Sequence, residues 1–222
     1  MTQTQVLVIG AGPGGYVCAI KLAKLGKKVL LVDKDKLGGE CLNYGCIPSK
    51  ALIAAGNLVH KLKKAKEMGI EAQGVSVNLE KLQSWKTALI GNLNRGIAGL
   101  LKGNGVSVLM GDARFTDSGQ AQVKTAQGAE DISFEKAVIA TGSRAMEIPN
   151  FKVDGRRVIG SKEALELSAL PKSMLVIGGG VIGLEIGTYY AKLGAQVAVA
   201  ELMPQLMPGI DSEFVAPVAR SL

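Results

Sequence analysis

Val6–Asp33 reads VLVIGAGPGGYVCAIKLAKLGKKVLLVD, and its pattern decides the fold. A short apolar run, fit for a buried strand, meets a glycine turn. A helical stretch follows, with Gly26 placed as a C-terminal cap, and a second apolar run ends on Asp33. Gly10, Gly12 and Gly15 fall in the spacing GxGxxG, with Pro13 and Gly14 between them. In that spacing the first glycine permits a tight turn, the second lets backbone approach a pyrophosphate, and the third lets helix and strand touch. The phosphates then meet a helix N-terminus and its dipole. Asp33 lies 23 residues after Gly10, where a carboxylate can accept from a ribose diol.

The same sentence is written again 168 residues on. Met174–Glu201 reads MLVIGGGVIGLEIGTYYAKLGAQVAVAE, identical to the first copy at 11 of 28 positions. Gly178, Gly180, Gly183 and Glu201 repeat the glycines and the acid at the same interval. Two βαβ units imply two dinucleotide sites. At the second, Glu201 is placed to bond a 2′-hydroxyl and repel a 2′-phosphate, and no arginine follows in Leu202-Met203-Pro204, a combination that favours NAD over NADP.

Between the copies the sequence predicts helices over about 49–68 and 79–102. Short strands over 106–110, 121–125 and 131–134 predict a small antiparallel meander, and another strand, 137–140, runs into Thr141-Gly142. Residues 148–155 carry the composition of a linker. The expected organisation is therefore α/β, with two Rossmann-like dinucleotide-binding domains over 1–147 and 148–222. A doubly wound fold normally continues through more strands than follow Glu201, so the second domain is expected to be partial.

Composition narrows the class. The 222 residues are 47% hydrophobic and 20% charged, a globular balance, and 29 glycines are about 13% of the chain against a usual ~7%. Nine aromatic residues are few for stacking on bases. The net charge is +7, and the densest cationic cluster, Lys61, Lys63, Lys64 and Lys66, interleaves with Leu62 and Ala65 as the solvated side of an amphipathic helix. A nucleic-acid partner is not expected. No apolar run of membrane-spanning length escapes glycine clusters, and the uncharged opening residues lack a basic leader, so a cytoplasmic location is expected.

Cys41-Leu-Asn-Tyr-Gly-Cys46 concentrates the thiols. In a regular helix, residues five apart have Cα atoms about 8.6 Å apart, beyond the ~4.4–6.8 Å that a disulfide spans. A bonded pair therefore requires a bend, for which Gly45 and Pro48 offer the backbone. Two buried structural thiols are the alternative. Zinc fits poorly, because two thiols and the distant His60 do not make four ligands, and no metal site is expected. Cys18 falls between apolar residues and reads as core.

The run Gly38-Gly39-Glu40-Cys41-Leu42-Asn43-Tyr44-Gly45-Cys46-Ile47-Pro48-Ser49-Lys50 resembles the redox-disulfide box of the flavin-dependent pyridine nucleotide–disulfide oxidoreductases. Its wording is closest to the dihydrolipoamide dehydrogenase branch. The glycine motif at the start, Ala140-Thr141-Gly142, and the second glycine motif with Glu185 extend the resemblance over the chain.

The resemblance implies that Gly10, Gly12, Pro13, Gly14, Gly15, Asp33, Lys34, Gly39, Glu40, Gly45, Ala113, Ala140, Thr141 and Gly142 belong to an FAD site. Gly178, Gly180, Gly183 and Glu201 would serve NAD. Cys46 would be the flavin-side sulfur and Cys41 the sulfur that exchanges with substrate, with Lys50 paired to Glu185. The implied reaction is dihydrolipoamide + NAD⁺ ⇌ lipoamide + NADH + H⁺, with electrons passing through a Cys41–Cys46 disulfide and FAD. The implied partner is the lipoyl domain of a 2-oxo acid dehydrogenase or glycine cleavage complex, and the implied assembly is a homodimer. Glu40 replaces a threonine usual in the box, so a carboxylate near a diphosphate would need Lys34, Lys50 or backbone donors. The family's general base, a His paired with Glu, has no counterpart among the 222 residues, so these residues alone are expected to turn over little. The rival implied activities are glutathione or mercuric reduction, which Glu201 disfavours, and a non-catalytic flavin-binding module or half of a split enzyme.

Overall fold

A computed structural model describes residues 1–222. The elements are β1 (Thr2–Ile9), α1 (Pro13–Lys24), β2 (Val29–Asp33), α2 (Gly39–Asn43), α3 (Cys46–Lys64), α4 (Leu79–Gly103), β3 (Ser107–Met110), β4 (Asp112–Asp117), β5 (Gln120–Thr125) and β6 (Gly128–Ile139). They continue with α5 (Ser161–Ala164), β7 (Ser173–Ile177), α6 (Val181–Leu193), β8 (Gln196–Ala200) and α7 (Ser212–Ser221).

The chain forms two compact units. The first comprises Met1–Ile47 and Ala88–Arg144, the second Pro48–Thr87 and Ala145–Leu222. This differs from the expected single cut after residue 147, because Pro48–Thr87 joins the later residues. The reason is packing: Leu52 of α3 is fully buried in a cluster with Ile186, Tyr189 and Tyr190 of α6. A Cβ on Gly56 would stand 3.1 Å from the Tyr189 ring.

In the first unit a six-stranded sheet runs in the order β3-β2-β1-β6-β5-β4. β3, β2, β1 and β6 are parallel, and β5 and β4 continue antiparallel. The strand predicted over 106–110 therefore pairs with β2 in the parallel sheet and is not part of the meander. The meander is β4, which sequence reading did not foresee, with β5 and β6. The predicted strands 131–134 and 137–140 are one long strand, because β1 pairs along it from Thr2↔Ile132 to Ile9↔Ile139.

Alternation along β1 serves two cores. Val6 and Val8 face α1 and α4 with Ala19, Leu31 and Leu101. Leu7 faces the other way, with Leu30, Val32, Val123 and Ile132. The helix α1 ends as Gly26 swings to φ +79°, and its N–H donates to Ala23 O while that of Lys27 donates to Leu22 O.

The second unit holds a two-stranded parallel sheet, β7–β8, beside a cluster of Leu52, Ala164, Leu165, Ile186, Tyr189, Tyr190 and Leu193. Burial pushes the Tyr189 phenol up to about 12, and its Oη has no hydrogen-bond partner. Asp211 stands at the N-cap of α7, but its side chain makes no capping bond. No helix is long and apolar enough to cross a membrane.

Candidate functional site

The strand order reverses about β1, with the chain passing first to β2 and β3 on one side and later to β6 on the other. In open α/β sheets, ligands bind at the carboxyl ends of the strands flanking such a reversal. Gly10–Gly15 leaves the carboxyl end of β1, and Ala140-Thr141-Gly142 leaves that of β6. The two are in contact: Ala140 N–H donates to Ile9 O at 2.7 Å, and a Cβ on Gly10, at φ +104°, would lie 2.1 Å from Ala140 O. A Cβ on Gly15 would overlap Gly10 O at 1.7 Å. These two glycines serve backbone packing.

Gly12 differs. It is the N-cap of α1 with ordinary extended dihedrals, no side chain caps the helix, and the first turn carries no acid. A Cβ there would meet only the Gly39 Cα, at 3.9 Å. The open cradle, together with uncapped helical N–H groups, fits a pyrophosphate. Asp33 closes it: Oδ2 accepts from Ala11 N–H at 2.5 Å and Oδ1 from Asp35 N–H at 2.8 Å. With one bond each, both carboxylate oxygens retain acceptor capacity for a ribose.

The second copy reproduces the arrangement bond for bond. Gly179 N–H donates to Glu201 Oε2 at 2.7 Å, and Met203 N–H to Oε1 at 2.9 Å. These backbone donors hold the Glu201 carboxyl below its ordinary range. Gly180 caps α6 without a side-chain bond or an acid in the first turn, and nothing lies within 4 Å of a Cβ placed there. This cradle also fits a dinucleotide.

The cysteine box is built onto the first cradle. Gly38 N–H donates to Ala11 O at 2.8 Å. Gly39 has φ +58°, and a Cβ on it would stand 2.6 Å from Gly12 Cα, backbone against backbone. Only glycine permits that approach. Cys41 follows in α2, half-buried, and Cys46 opens α3, exposed. No disulfide joins Cys41, Cys46 or half-buried Cys18. The bend between Cys41 and Cys46 is made at Tyr44-Gly45, between the end of α2 and the start of α3. Pro48, expected to help bend the chain, lies instead in the first turn of α3, where its missing N–H costs no helical bond.

In the second unit Lys50 Nζ lies 2.7 Å from both oxygens of Glu185. Lys50 thus pairs with Glu185, and Glu40 remains an exposed carboxylate on α2. The pair is partly exposed, 59% and 30%, and worth ~0–1 kcal/mol to stability. Lys34 is exposed beside Asp33, and Ala113 is half-buried in β4. His60 sits half-exposed on α3, and no group of three or more metal-ligating side chains exists.

Sequence reasoning missed three polar side chains. Ser49 is buried, and its Oγ donates to Glu185 Oε2 at 3.3 Å. Lys86 is buried, donates to Leu165 O at 2.6 Å, and has its pKa lowered by desolvation. Asn43, quoted only as part of the box, donates to Leu37 O and Gly39 O. Asn43 and Ser49 both lie within the quoted cysteine box, which was the signal available for them; Lys86 lies outside any glycine or cysteine motif.

Comparison with known proteins agrees with this geometry. Residues 4–222 match the family model described as pyridine nucleotide-disulphide oxidoreductase. A dihydrolipoyl dehydrogenase of Bacillus subtilis is 49% identical over 220 residues, 99% of this chain and 47% of the relative. One from Haloferax volcanii is 48% identical over 222 residues, 99% of this chain and 46% of the relative. The chain therefore spans about half the length of the curated relatives it matches. Among solved structures, LpdA of Mycobacterium tuberculosis superimposes with a TM-score of 0.89 at 26% identity, covering 100% of this chain and 49% of that one. The flavoprotein disulfide reductase RclA of Escherichia coli gives 0.83 at 26% identity, covering 100% and 48%. With two matching nucleotide cradles, a cysteine box seated on one of them, and a family match over nearly every residue, the chain belongs to the pyridine nucleotide-disulphide oxidoreductases.

Proposed function

We propose that this chain carries the electron-transfer half of a flavin-dependent dihydrolipoamide oxidation coupled to NAD⁺. The observation that carries the reading is the backbone contact of Gly39 with Gly12, which couples the dithiol box to the phosphate turn. Gly12, Gly14, the N-terminus of α1 and Asp33 would hold FAD, and Gly180, the N-terminus of α6 and Glu201 would hold NAD. Bound flavin supplies two-electron relay between a dithiol and a pyridine nucleotide.

The protein's own steps are thiol–disulfide exchange. With the pair oxidised, a substrate thiolate attacks Cys41 Sγ, the Cys41–Cys46 bond breaks, and Cys46 leaves as thiolate. The second substrate thiol then displaces Cys41, so the substrate closes to its disulfide and the protein is left with the dithiol. Cys46 opens α3, whose first turn carries no acid. Lys50, one turn farther along α3, is held by Glu185 as a fixed cation. Lipoyl-bearing domains are the proposed substrate class, and the family resemblance supports assembly as a homodimer.

The test is an absorption spectrum of the flavin-loaded protein on mild reduction. A long-wavelength band should appear and vanish in Cys46→Ser, while Cys41→Ser should carry the band without any reductant. A flavin spectrum indifferent to both substitutions would refute the reading.

A further inference from the structure

Between the two cysteines, Asn43 is bonded on nearly every side. Its Nδ2 donates to Leu37 O at 3.0 Å and Gly39 O at 2.9 Å, and its Oδ1 accepts from Asn94 Nδ2 at 2.9 Å. Asn94 lies on α4, 51 residues away in sequence and outside every motif. It is also a poor helix former in a helix interior, costing ~0.5 kcal/mol relative to alanine or leucine. Its Nδ2 reaches out of the helix to the amide inside the cysteine box at 2.9 Å, closer than its bond to Ile90 O of its own helix at 3.4 Å. On the other flank, Tyr44 Oη donates to Asp35 Oδ2 at 2.7 Å, and Lys36 Nζ lies 5.4 Å from its ring centre. The loop is held from both sides, and already folded: a Cβ on Gly45 would lie 3.4 Å from Glu40 O and 3.8 Å from Cys41 Cα.

We infer that Asn94 is a positioning residue for the dithiol: through Asn43 it keeps the inter-cysteine turn pre-bent, raising the tendency of Cys41 and Cys46 to close. The inference rests on the proposed redox role of the pair. Closing costs the conformational freedom of the turn, and a tether made in the dithiol form has removed part of that freedom beforehand. The reaction is Cys41–SH + Cys46–SH + glutathione disulfide → Cys41–S–S–Cys46 + two glutathione thiols. One S–S bond forms as another breaks, the cysteines are oxidised, and both protons and both electrons end on glutathione.

The test equilibrates the full chain in glutathione buffers of graded ratio, then traps the remaining thiols and weighs the products. Asn94→Leu keeps the volume and removes the donor; Asn94→Ala serves if leucine does not fold. Either should lower the closing constant about three- to tenfold, the weight of one hydrogen bond, while the unfolding midpoint moves little because the better helix former in α4 offsets part of the lost bond. Asn92→Ala, on the exposed side of α4, should leave the constant unchanged. A closing constant unchanged or raised in both Asn94 variants, with the wild type closing normally, overturns the inference and leaves the redox reading intact. A wild-type pair that stays open at every ratio overturns the redox reading and this inference with it.

Discussion

Val6–Asp33 and Met174–Glu201 share their turns, their acid-to-backbone bonds and their helix caps, yet they are buried to different degrees. Leu7 and Leu175 are the same residue at the same place in the repeat, and they are 0% and 63% exposed. β1 has a strand on either side and layers on both faces, whereas β7 has only β8 beside it. The cradle is local: a strand, a glycine turn, a helix start and an acid at a fixed interval make it wherever they occur. Burial is a property of the neighbours. Within these 222 residues the first copy is a core element that also carries a cradle, and the second carries a cradle on a sheet of two strands.

The sharpest break of that comparison is at the glycines. Gly15→Ala should destabilise the protein by at least about 4 kcal/mol in denaturant unfolding, since its Cβ meets backbone that cannot step aside. Gly180→Ala, in open space, should stay within about 1 kcal/mol and weaken NAD binding at least tenfold in titration. Equal unfolding midpoints for the two would erase the distinction between packing glycines and cradle glycines. Next come the equivalent leucines. Leu7→Ala should cost ~2–5 kcal/mol as a buried large-to-small change, and Leu175→Ala no more than ~0.5 kcal/mol. A similar loss at both would mean that the second sheet is covered in solution.

The smallest effect sharpens the likeness. The Glu201 carboxyl is held below its ordinary value by the N–H groups of Met203 and Gly179, so its contribution to stability is present above the unfolded pKa and is lost as pH falls through the lowered folded value. The stability gap between the protein and Glu201→Gln should therefore be flat near neutrality and close in acid. A gap that widens on acidification would have the wrong sign for those bonds.

Much of the candidate site was legible because its signals are short-range. The three glycine roles, the acids at their interval and the bend between the cysteines depend on sterics and hydrogen bonds within a few turns of chain. Long-range choices were not legible. Asn94 looks like any polar residue on a helix, and its bond to Asn43 exists only because α4 passes the cysteine box. Ser107–Met110 reads as a strand either in a meander or in a parallel sheet, since an apolar run carries no record of its partner. Residues 48–87 precede the linker in sequence, but their apolar faces match α6.

Sequence alone determined that two matching glycine turns exist, where each begins, which acid closes each, and that a thiol pair stands just after the first. Those are statements about backbone freedom and local donors, which a few residues settle among themselves. Only the tertiary structure decided that Gly39 rests on Gly12 and that Asn94 reaches the inter-cysteine turn. Such contacts join segments whose approach is chosen by the burial of whole elements, a sum over the chain that no single stretch contains.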